Sequence, residues 1–172
     1  QAANQYLIGQ GSTFSLPTVA CGDFSLASLG DPNVYPQVSN PLGPAINLSQ
    51  PGVTVSHLRI FNSAVGISDS PGIAAPGSAT VQDVIIEGGG GPFQRGVQIA
   101  NSTGRISFAG VRRSNLSNDG FVVSAADGDV VIADSSLTDV AGTAVLVSGN
   151  GADVAVTRTS FIRTDGTVAQ VS

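Results

Sequence analysis

The fold class this sequence predicts is all-β: a right-handed parallel β-helix, a solenoid of about 24 residues per coil with three short strands in each. Three observations predict it. Glycines close successive turns at Gly104, Gly128 and Gly151. Apolar blocks superimpose one coil apart without a gap, Phe121–Ser124 on Val145–Ser148 and Val130–Ala133 on Val154–Thr157. Within the blocks apolar residues alternate with period two, and no window of helix length keeps the i, i+3, i+4, i+7 spacing.

Taken in chain order, residues 1–52 repeat least clearly and hold six of the nine prolines. They read as irregular coils or an end-covering segment of the same domain, with strands near Gln5–Ile8, Thr13–Leu16 and Ala45–Leu48. Residues 53–172 read as the regular coils. One domain is expected, as a piece of a longer protein. The repeating unit is strand, four-residue corner, strand, with corners at Ser49–Gly52, Asn101–Gly104, Ala125–Gly128 and Ser148–Gly151. Apolar residues bracket each corner at one spacing: Leu48/Val55, Ile99/Ile106, Val123/Val130 and Val147/Val154. A third run follows at Leu58–Ile60 and Val84–Ile86, then at Leu137 and Phe161.

Stacking coils at the ~4.8 Å strand spacing turns residues one period apart into columns. Val123/Val147/Val171, Phe121/Val145/Ala169 and Phe108/Ile132/Val156 are such columns. Roughly six inward side chains per coil, at ~1.5–3 kcal/mol each, cannot offset the backbone entropy of a lone coil, so coils must stack. About seven coils would give a rod on the order of 30 Å long. Two corners break the period, at 69–77 and 88–95. Ungapped alignment sets Arg113 in the column of Leu137 and Phe161. A charged core position is costly, so a register slip of one to three residues is expected there.

Composition excludes several functions. Charged residues are 11% of the 172, there is no Lys, Met or Trp, and the net charge is −5 with a pI near 4.4. Seven Arg against twelve acids leave no basic patch for nucleic acid. No apolar run reaches the ~20 residues of a membrane-spanning helix. Cys21 is the single cysteine, so no internal disulfide forms. The composition points to a secreted or cell-surface protein.

The polar residues also fall in register. Arg105, Asp129 and Asp153 share a column, as do Asp134 and Arg158, and Asn115, Asp139 and Arg163. In a β-helix these form exposed ladders of inter-coil ion pairs, each worth ~0–1 kcal/mol. No cofactor is called for. The one metal reading is calcium at Asp127, Asp129 and Asp153, since stacked carboxylates suit a hard cation. His57, the sole histidine, is expected beside Asp83 one coil away, but no nucleophile accompanies it. Gly88–Gly91 lacks the lysine and helix of a phosphate cradle and reads as a loop, with Phe93 and Arg95 at its tip as candidate contacts to a sugar or protein.

The apolar-x-apolar strands and Ser/Asn-x-x-Gly corners over about 45–172 resemble the repeat of the pectin-lyase-like superfamily. Segments 6–11 and 61–67 are similar to the first rung and the coil-to-coil segment of bacterial surface and autotransporter-type β-helices. Polysaccharide-degrading members carry clustered acids with Arg-x-Lys or His-Gly elements, which this chain lacks. The resemblance therefore implies a non-catalytic extracellular module, adhesin-like or structural. Its partners would be itself through end-to-end stacking, the rest of a longer β-helix, a carbohydrate or a surface protein. A polysaccharide lyase or glycoside hydrolase with a groove along one face is the alternative it leaves open.

Overall fold

The computed structural model describes residues 6–8, 14–18, 22–26, 35–69, 77–89, 94–124, 127–149, 151 and 153–171. Cys21, Phe93 and the tips of the two long corners lie outside them.

The chain first forms β1 (Tyr6–Ile8), an antiparallel pair β2 (Phe14–Thr18) and β3 (Gly22–Leu26), then β4 (Gln37–Val38) and β5 (Pro44–Asn47). Five regular coils follow: β6 (Val53–Ser56), β7 (Arg59–Phe61) and β8 (Val65–Ser68); β9 (Ala79–Gln82), β10 (Ile85–Glu87) and β11 (Arg95–Ile99). Next come β12 (Ile106–Ala109), β13 (Arg112–Leu116) and β14 (Phe121–Ser124), then β15 (Val130–Ala133), β16 (Ser136–Val140) and β17 (Val145–Ser148). The last are β18 (Val154–Thr157), β19 (Ser160–Thr164) and β20 (Ala169–Val171). Each coil gives one strand to each of three parallel sheets, ordered β1-β6-β9-β12-β15-β18, β4-β7-β10-β13-β16-β19 and β5-β8-β11-β14-β17-β20. This is the predicted parallel β-solenoid, without a helix among the described residues.

Among the described residues each of the three parallel sheets is six strands deep, not seven. The coil is longer than 24 residues in the first half: Val53 pairs with Ala79, and Ala79 with Ile106. From Ile106 onward, pairing with Val130 and then Val154, the step is 24. Residues 9–36, between β1 and β4, consume one further coil's length.

Alternation decides the interior. Val81, Phe108 and Ile132 form one fully buried column, and Ala79, Ile106 and Val130 its neighbour, because period-two strands turn every second side chain inward. Val97, Phe121 and Val145 face them from another sheet, with Phe108 and Phe121 packed edge to face at 5.2 Å.

The slip expected at Arg113 does not occur. Arg113 pairs in register with Ile86 on one side and Leu137 on the other, and it is buried at 1% exposure. Ladders on both sides hold β13, since a one-residue shift would turn all its inward groups to solvent. Room comes from Gly96, where an added Cβ would stand 2.8 Å from the Arg113 Cδ and 2.9 Å from Nη1. The guanidinium lies over the face of Phe121, and none of its three nitrogens has a hydrogen-bond partner. Burial pushes its pKa well below the usual arginine value.

Candidate functional site

The in-register polar residues owe their places first to the backbone. At the corner after the β6, β9, β12, β15 and β18 strands, His57, Asp83, Gly110, Asp134 and Arg158 all take positive φ, from 43° to 65°. At the next corner Asn62, Asn115, Asp139 and Arg163 do the same, from 50° to 56°. A left-handed residue lets each strand turn sharply into the next sheet, and Asn, Asp and Gly tolerate it best. The columns read as ion ladders are therefore also corner columns. Arg158 and Arg163 stand out, because arginine gains nothing from that backbone conformation.

Their compensation is pairing. Arg158 grips Asp134 through Nε and Nη2 at 2.6 and 2.7 Å, and Arg163 reaches Asp139 at 2.9 Å. The Arg158 hydrogen bonds hold the Asp134 carboxyl below its ordinary value of 3.8. A depressed carboxyl stabilises the fold above that ordinary value and loses the effect as pH falls through the lower folded one. An NMR titration should place the Asp134 midpoint below 3.8, and Arg158→Ala should return it toward that value. An unmoved midpoint in the variant would show that the pair does not persist in solution.

The third column behaves differently. Arg105, Asp129 and Asp153 sit one above another at the strand starts, where Ala79, Ile106 and Val130 donate to their carbonyls, but no ion pair joins their side chains. Asp127 lies two residues from Asp129 and hydrogen-bonds through its backbone to Ser102. Among the described residues no three His, Cys, Asp or Glu side chains converge as metal ligands.

His57 does come beside Asp83, Nε2 to Oδ2 at 3.9 Å, and stacks on Tyr35 with ring centroids 6.1 Å apart. Arg95 faces Asp119 at 3.7 Å and Gln98 at 3.4 Å, so it belongs to the sheet surface, not to a loop tip. Buried Gln94 accepts from the Gly89 N–H and donates to Asn62, clamping the base of the 88–95 loop. Arg112 is exposed one residue from buried Arg113. These charges are spread over separate faces and coils.

A chemically distinct feature is the last described rung. Strands β18, β19 and β20 each end their sheet with one unpaired edge. Their inward residues continue the core columns, Ile132 to Val156 and Val147 to Val171, yet Val156 is 40% and Val171 81% exposed. Val145, Val147, Val154, Val156, Ala169 and Val171 line an apolar depression of about 380 Å³ rimmed by Asp153 and Gln170. At the opposite end Ile46 in edge strand β5 is 7% exposed and Val38 in edge strand β4 is half-buried.

No family model matches the chain, and no curated protein or solved structure matches it either.

Proposed function

We propose that this chain is a non-catalytic, extracellular β-solenoid module, adhesin-like or structural, that works through its rod and through coil-on-coil stacking at its open rung. The open rung is the observation that carries the reading. Three parallel strand edges with free N–H and C=O groups surround an apolar floor, and the occupant that satisfies both is another β-coil. The likeness of the repeat to pectin-lyase-like and bacterial surface β-helices supports the extracellular, display-type role. The charge placement supports it too: Asp134, Arg158, Asp139 and Arg163 are engaged between coils instead of being gathered in a groove.

Sedimentation of the purified chain over a wide concentration range tests this. Mass should rise above 17.2 kDa with concentration, and Val171→Glu, at a position 81% exposed, should abolish the rise without altering the fold. A constant 17.2 kDa at every concentration would remove stacking between copies and leave the display role alone.

A further inference from the structure

The coils of this rod are not joined with equal strength. In a solenoid each coil contacts only its neighbours, so stability is close to a sum of coil and interface contributions. The weakest interface can then part while the others hold. Arg113 marks that interface. It is buried at 1% exposure between coil β9–β11 and coil β12–β14, with Nε, Nη1 and Nη2 unpartnered.

Its side chain leans toward the lower of the two coils. An added Cβ at Gly96 of β11 would stand 2.8 Å from the Arg113 Cδ and 2.9 Å from Nη1, so the arginine fills space that Gly96 leaves empty. Parting these coils hydrates the guanidinium and recovers solvation that the closed rod withholds. Elsewhere the same column is apolar, with Ile60 and Ile86 below and Leu137 and Phe161 above, and parting it only exposes hydrocarbon.

Backbone pairing and surface charge point to the same place. The β10–β13 and β11–β14 ladders pair three residues each, whereas β13–β16 and β14–β17, one interface higher, pair four. Among the described residues the ion pair across this interface is Arg95 with Asp119 at 3.7 Å, looser than Arg158 with Asp134 at 2.6 Å in the upper coils.

We infer that the rod carries a built-in parting plane between coils β9–β11 and β12–β14, where it opens as two blocks before it unfolds as a whole. All three sheets cross the plane, so opening is concerted across them. The plane lies inside the rod and does not depend on stacking between copies.

Native-state hydrogen exchange tests this. One N–H from each sheet spans the plane: Asp83 to the Ala109 carbonyl, Arg112 to Val84 and Val97 to Gly120. These three should share one protection factor, roughly tenfold or more below that of Phe121 and Ser136, whose bonds to Ala144 and Val111 span the next interface up. Arg113→Leu should bring the two sets together, while Arg113→Lys, which keeps a charge in the column, should leave them apart. Equal protection in the natural chain, or a gap that survives Arg113→Leu, would overturn the parting plane.

Discussion

Arg113→Leu should make this protein more stable. The guanidinium is enclosed at 1% exposure with Nε, Nη1 and Nη2 all unpartnered. Enclosing an unpaired charge costs several kcal/mol even after relaxation. Its position over Phe121 returns about 2 kcal/mol at most. Leucine keeps the apolar stem, restores the type of its column neighbours Ile86 and Leu137, and removes the charge. A net gain on the order of 2–4 kcal/mol is expected, or about 5–10 °C in Tm for a chain of this size. Arg112→Leu is the control: its side chain is exposed, and surface changes of this kind stay within about 0.5 kcal/mol. Thermal and urea unfolding measure both. If Arg113→Leu were less stable than the natural chain, the guanidinium would have to be hydrated or paired in solution, and the burial described above would be wrong.

The case of Arg113 also shows how far the sequence could be read. The ungapped repeat placed it in the column of Leu137, and the observed register agrees; the cost of burying charge argued for a slip and was outweighed. Two ladders fix the register of β13 cooperatively, and one poor side chain inside a strand does not break them. The apolar columns were legible because period-two alternation and the 24-residue step are properties of the chain itself. The left-handed corners were half legible. Asp83, Asn115, Asp134 and Asp139 recur in register, and residues that tolerate positive φ at a fixed period signal a bend as well as an ion ladder. Arg158 and Arg163 hid that signal, since arginine suggests pairing and not a turn. The exposure of Val156 and Val171 has no mark in the strand pattern, because they continue the columns of Ile132 and Val147 with residues of the same kind.

The corner where the coil lengthens should be as sensitive as the core. Asp69 follows β8 in the core column that Leu48 occupies below and Ile99 above, since Asn47, Ser68 and Gln98 pair across the three coils. An acid there would be a defect if it were idle. Instead its carboxylate, 2% exposed, turns toward the next coil and accepts the Ala100 N–H at 2.7 Å and the Asn101 N–H at 2.8 Å. These are the donors that open the Asn101–Gly104 corner, and no strand neighbour satisfies them. Each such bond to a charged acceptor is worth ~1.5–3 kcal/mol, and leaving its donor buried without a partner forfeits that contribution. Asp69→Ala should therefore cost about 3–5 kcal/mol, whereas Asp69→Asn, which keeps one accepting oxygen, should lose about half as much. Hydrogen exchange separates this account from a simple packing loss. In Asp69→Ala the amides of Ala100 and Asn101 should lose protection, while the amide of Val130, bound to the Asp153 carbonyl two coils further on, should exchange only with global unfolding. Equal and small losses in both variants would mean that solvent, not Asp69, satisfies the corner.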